Sequence, residues 1–108
     1  LIYIELGAGL ESIGMEAFRS CNSLKSIIIP ASVRFIGAKA FNIKISVNIF
    51  YEGSKADLDE VSKGINWMNN AQIYYFTETE PPKNASGTGY DDYYWRYASD
   101  NATPVIWQ

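Results

Sequence analysis

Histidine is missing from the chain, and cysteine occurs only once in 108 residues. The first absence removes the Ser-His-Asp and Cys-His catalytic units, histidine zinc ligands and an imidazole general base. A lone cysteine closes no internal disulfide and builds no cysteine metal site. Basic residues number nine against twelve acidic ones, for a net charge of -3, so the electrostatic footprint of a nucleic-acid binder is missing. No run approaches the ~20 consecutive apolar residues of a membrane-spanning helix. No signal peptide is visible, but the sequence opens on Leu1, and we expect a piece cut from a longer protein. What remains is a chain of one domain or a fragment of one. Its 47% apolar content argues against disorder throughout. Aromatic residues are plentiful at 15%, with eight tyrosines among them.

The first half repeats itself. Leu1 recurs as Leu24, Ile4 as Ile27, Leu6 as Ile29, Leu10 as Val33, Ile13 as Ile36, Gly14 as Gly37, Ala17 as Ala40 and Phe18 as Phe41, each pair 23 residues apart. The unit is LxxIxLxxxLxxIGxxAF. A third, degenerate copy aligns Ile49, Phe50 and Tyr51 with Ile27, Ile28 and Ile29 once one residue is deleted before Ser46. Within LxxIxL, alternation places Ile4, Leu6, Ile27 and Ile29 on an inward face, with Glu5 and Ile28 outward between them. Pro30 lacks an N–H and suits a strand end. Gly14 and Gly37 stand where the chain must bend, and we expect positive φ there. Phe18 and Phe41 are placed to fill the interior on the return side of each coil. A single copy cannot bury these residues, whereas stacked copies bury them in one column with a parallel strand from each.

The run SIGMEAFRSCNSLKSIIIPASVRFIGAKAF resembles the BspA-type leucine-rich repeats of bacterial surface proteins, over residues 1–45 most closely. Residues 46–76 resemble the closing unit of that family, with an aromatic strand at IFYEG and a final strand at AQIYYF. Leu58, where a tryptophan is usual, and the shortened junction NIKIS depart from the pattern. The resemblance implies an α/β leucine-rich-repeat solenoid, a β-rich horseshoe fragment with a parallel sheet, a C-terminal cap and a β-hairpin tail. It divides residues 1–76 into repeats at 1–45 and a degenerate closing repeat or cap at 46–76, and composition and local pattern add a linker at 77–89 and an aromatic tail at 90–108.

Local signals fill in the second half. Ser54 to Gly64 reads as a short helix, with Ser54 and Asp57 as a capping box, Leu58 and Val61 as its apolar stripe and Gly64 as its stop. Gln72 to Phe76 has strong strand propensity. TETEPPKNASGTG is a linker by composition. Beyond it, Tyr93 to Ala98 alternates as a strand, Asp100 and Asn101 form a turn, and Val105 to Trp107 returns.

Each chemistry-bearing feature also has a structural explanation. Cys21 reads as a small buried residue at an inter-repeat turn. Asp57, Asp59 and Glu60 suit a solvated first helical turn better than a carboxylate pair for hydrolysis. Asp91, Asp92 and Asp100 lack any calcium-loop spacing. The sequons at Asn84 and Asn101 lapse as glycan acceptors in a bacterial protein. We therefore expect no enzyme activity, no cofactor and no metal.

The resemblance implies a secreted or cell-surface bacterial protein that binds other proteins, on the host or on neighbouring bacteria. The outward strand positions Tyr3, Glu5, Ser26, Ile28, Asn48 and Phe50 are the expected protein-binding face. An alternative is a carbohydrate-binding accessory module using Tyr90, Tyr94, Trp95 and Trp107, since flat aromatic faces stack on sugar rings. A third reading is a purely structural end cap of a longer array. The first strand, Leu1 to Leu6, is an unpaired edge from which self-association by edge pairing is expected.

Overall fold

The structure is a computed structural model that describes residues 3–19, 24–43 and 46–108, with only the backbone of residues 3–5. Cys21 and the side chains of Tyr3, Ile4 and Glu5 lie outside the described residues.

The repeat unit builds two parallel sheets facing each other. The larger sheet takes one strand per coil: β1 (Tyr3–Glu5), β3 (Ser26–Ile29), β5 (Val47–Tyr51) and β7 (Ala71–Phe76), each parallel to the last. Its register pairs Ile4 with Ile27, Ile27 with Ile49 and Ile49 with Ile73. The one-residue deletion read from the sequence is therefore the register of the third coil. On the return side run β2 (Ser12–Ile13), β4 (Phe35–Ile36) and β6 (Ser62–Lys63), a second parallel sheet. The single helix among the described residues, α1 (Lys55–Asp59), lies between β5 and β6. The expected repeat solenoid with a parallel sheet is present as a β-solenoid of about three turns, with less helix than an α/β fold would carry. The return side of the coils is built from two-residue strands joined by coil-to-coil hydrogen bonds, and only the third coil adds a short helix before its return strand.

Between the sheets sits the main core. Ile27, Ile29, Val47, Ile49 and Tyr51 reach into it from the large sheet, and Ile13 and Ile36 from the small one. Each fully buried aliphatic side chain here is worth about 1.5–3 kcal/mol. Phe18 and Phe41 do line the return side: their rings stack at 5.1 Å and 7°, and Trp67 meets Phe41 edge-on at 6.2 Å. Stacking continues in the backbone, where Phe18 N–H donates to Ala40 O and Phe41 N–H to Trp67 O, both at 2.8 Å.

Gly14, Gly37 and Gly64 occupy equivalent places in successive coils, but not for the expected reason. Positive φ falls two residues later in each coil, at Glu16 (58°), Lys39 (56°) and Asn66 (53°). Gly37 and Gly64 serve close approach. A Cβ on Gly37 would lie 2.4 Å from Met15 N, and one on Gly64 would lie 2.4 Å from Ala38 N. Gly64 is accordingly the third rung of this ladder and not a helix stop. The helix ends at Asp59, where the ammonium of Lys63 takes the carbonyls of Leu58 (2.7 Å) and Val61 (2.8 Å). Its start is the capping box read from the sequence, with Ser54 and Asp57 bonding reciprocally at 3.1 Å.

After β7 the chain crosses over and adds β8 (Tyr94–Tyr97) parallel to it, then β9 (Pro104–Ile106) antiparallel to β8. A parallel addition demands a long crossover. Residues 77–93 supply it, held partly by Asn84, whose side-chain oxygen accepts from Thr88 N–H and the Ser86 hydroxyl.

Candidate functional site: the outer face of the large sheet

Alternation along β3, β5 and β7 sends every second side chain away from the main core. Two rows result. One is Ser26, Asn48 and Gln72, and the other is Ile28, Phe50 and Tyr74, each in register across the three strands. The polar row is half-buried and reaches solvent. In the apolar row Ile28 is 0% and Phe50 4% exposed, whereas Tyr74 at its end is only half-buried.

The cover is the chain's own tail. Trp95 is fully buried in a second core with Ile28 and Phe50, flanked by Tyr74, Phe76, Tyr97 and Ile106. Its ring centroid lies 5.3 Å from both Phe50 and Phe76 and 4.8 Å from Tyr97. Its indole N–H donates to Tyr51 O at 2.7 Å, so the burial leaves no orphan donor. The Tyr97 hydroxyl bonds the Glu52 carboxylate. Ile28, Phe50 and Trp95 are therefore corrected from contact residues to core residues. The tail supplies the apolar surface that Ile28 and Phe50 need, and a partner cannot reach any of the three. Of the expected protein-binding face, Ser26 and Asn48 remain accessible, and the side chains of Tyr3 and Glu5 lie outside the described residues.

Tight local bonding aims the tail at the sheet. Asp100 accepts from the N–H groups of Ala102 and Thr103 at 2.9 Å and from the Thr103 hydroxyl at 2.5 Å. These bonds, led by that hydroxyl, hold its carboxyl down to about 2. Asn101 takes the positive φ of 58° that this turn requires. The carboxylate is thus committed to its own turn. Among the described residues, no group of three or more potential metal ligands comes together.

Of the four residues expected for sugar binding, Tyr90, Tyr94 and Trp107 line one shallow groove of about 650 Å³, beside the outer face. Trp95 does not join them. Lys55 closes one side and bonds Asp92 at 3.2 Å, which holds the ammonium pKa up. The Tyr94 hydroxyl donates to Asp91 at 2.8 Å. That bond, followed by burial, pushes its pKa up to about 12. Tyr74 and the exposed Tyr93 also line the groove, their rings 5.9 Å apart and nearly perpendicular.

Gln72, Tyr74, Tyr93 and Lys55 are site residues that the sequence reading missed. Two had a signal: continuing the strand register into AQIYYF sets Gln72 beside Asn48 and Tyr74 beside Phe50. Nothing local announces that Lys55 meets Asp92, 37 residues away.

Comparison with known proteins bears on the repeats. A family model described as a BspA type leucine rich repeat region, of six copies, matches residues 1–64. No curated protein and no solved structure matched the chain.

Proposed function

Because this chain belongs to the BspA-type leucine-rich repeat family, we propose that it is a non-enzymatic recognition scaffold of a secreted or cell-surface bacterial protein. In this reading it adheres to protein partners through the part of the large sheet's outer face that the tail leaves open. The observation that carries the reading is the row Ser26, Asn48 and Gln72. These three side chains stand in register on neighbouring strands of a rigid parallel sheet and are partly open to solvent. Amide and hydroxyl groups fixed in this way lose little entropy when they bind, which favours specific polar recognition. Tyr93, 55% exposed, lies beside the same face next to Tyr74 and supplies an aromatic anchor of the kind enriched in hot spots.

A panel of purified extracellular-matrix and bacterial envelope proteins, screened by surface plasmon resonance, tests this reading. The double variant Asn48→Arg/Gln72→Arg should weaken any captured protein about tenfold or more, with an unchanged melting temperature. A panel without a binder, or a binder indifferent to the double variant, would sink the proposal.

A second reading is favoured by one observation, the burial of Ile28 and Phe50 beneath Trp95. On that reading residues 46–108 act as the C-terminal cap of a repeat array, with β8 and β9 as a hairpin that shields apolar sheet surface. The two roles are compatible, because the cap covers one row of the face and leaves the other open.

A further inference from the structure

The groove beside the tail has a composition that the repeat scaffold does not require. Its rings are positioned before any ligand arrives. The Tyr90 hydroxyl is held by Glu80 at 3.1 Å and Gln108 O at 3.3 Å, and the Trp107 indole N–H by Thr77 O at 3.0 Å. Lys83 lies 5.3 Å from the Tyr90 ring centre, and Arg96 lies 5.3 Å from that of Trp107. Neither cation lines the groove. Its polar groups are positioned as well. Asp92 accepts from Tyr93 N–H at 2.8 Å and from Lys55 at 3.2 Å, and Asp91 accepts from the Tyr94 hydroxyl at 2.8 Å.

Fixed aromatic surface flanked by fixed carboxylate and ammonium groups matches the two sides of a pyranose. The C–H face of the sugar packs on a ring, and its hydroxyls bond oriented acceptors and donors. Charge balance narrows the class further. Lys55 is already neutralised by Asp92, and Asp91 adds a negative charge, so the groove offers no net attraction to an anionic ligand. We propose that this groove binds a neutral oligosaccharide, with a pyranose ring packed against Tyr93 and its hydroxyls bonded to Asp91 and to the Lys55–Asp92 pair. Tyr93 itself is set by its edge contact with the Tyr74 ring and by the bond from its N–H to Asp92, and this, with the restraint of the carboxylates, lowers the entropic cost of holding so small a ligand. The groove shares Tyr93 with the proposed protein-binding face but not the row Ser26, Asn48 and Gln72, so Asp91→Asn and Asn48→Arg/Gln72→Arg tell failure of one reading from failure of the other.

A glycan array carrying neutral, sialylated and uronate-containing oligosaccharides, followed by calorimetry on the best neutral ligand, tests the assignment. The intact chain should bind at least one neutral class and discriminate against the acidic ones. Tyr93→Ala and Asp91→Asn should each weaken the calorimetric affinity about tenfold or more. Phe35→Ser, on the exposed side of the small sheet, should leave it unchanged, and all three variants should keep the parent circular-dichroism spectrum. Asp91→Asn keeps an acceptor for Tyr94, so it remains informative should Tyr93→Ala disturb folding. Absence of any neutral glycan from the array overturns the proposal. So does a preference for acidic sugars, binding retained by both groove variants, or capture of peptides in place of glycans.

Discussion

Gly37 and Gly64 are the points at which the backbone of one coil touches the next. Their missing side chains are the condition for coil spacing, because a Cβ at either place would fall 2.4 Å from a backbone nitrogen. Gly14 has the same sequence context and a different environment, with nothing within 4 Å of its Cβ position. Alanine should therefore separate these chemically identical sites. Gly37→Ala is expected to destabilise by about 1–3 kcal/mol through forced backbone displacement. Gly14→Ala should stay within about 0.5 kcal/mol of the parent. Urea unfolding of the two variants checks this, and equal losses would refute the close-approach argument. The left-handed residues Glu16, Lys39 and Asn66 show a related division of labour. Only the third is an asparagine, which tolerates that conformation well. The other two are held there by the coil-to-coil bonds Glu16 N–H to Ala38 O (3.0 Å) and Lys39 N–H to Ile65 O (3.2 Å).

Among the elements, the β8–β9 pair depends most on a single charged group. Asp100 organises its turn through three hydrogen bonds, which lower its carboxyl from 3.8 to about 2. A carboxyl depressed in the folded state contributes stability that is fully present above its unfolded value and is lost as pH falls through the folded value. The turn should thus hold at pH 5 and loosen between about pH 4 and pH 2. Amide hydrogen exchange at residues 98–106 would report it. Asp100→Asn should abolish the acid-dependent step, and an identical acid profile in parent and variant would count against this role. The helix offers a contrast. Its capping box was legible because both partners lie within four residues, whereas its extent was over-read. The Val61 expected on its apolar stripe belongs instead to the chain entering β6, where it packs in the main core.

At the scale of the whole molecule, the described residues form two apolar cores separated by one sheet. The main core lies inside the solenoid, and the second lies between the large sheet and the tail. Trp95 is the largest side chain in the second core and its one fully buried aromatic. Trp95→Ala should cost about 3–5 kcal/mol, from lost burial, the cavity left behind and the vacated Tyr51 carbonyl. Ile28 and Phe50 would then meet water, so the variant should bind a hydrophobic dye while β1, β3 and β5 keep their far-ultraviolet signature. A variant as stable and as dye-free as the parent would show that the tail is not coupled to the sheet. The main core would survive because its contacts pass from coil to coil and not through the tail.

The sequence by itself determined the coil. Its 23-residue period placed Ile4 beside Ile27 and Gly14 beside Gly37, and one deletion brought Ile27 beside Ile49. Period-2 alternation then assigned Ile27 and Ile29 to the interior and Ile28 and Phe50 to the opposite face. Such patterns are local or repeat at fixed spacing, so one sequence carries them in plain form. Which of the outward residues would meet solvent was a different kind of question. Ile28 and Trp95 are 67 positions apart with no repeat relating them, and only the folded tail decided that they share a core. The same holds for the groove, where the crossover brings Tyr90, Tyr94 and Trp107 together and turns Trp95 inward. Burial at these places depends on where a non-repeating segment comes to rest, and that is a property of the packed chain as a whole.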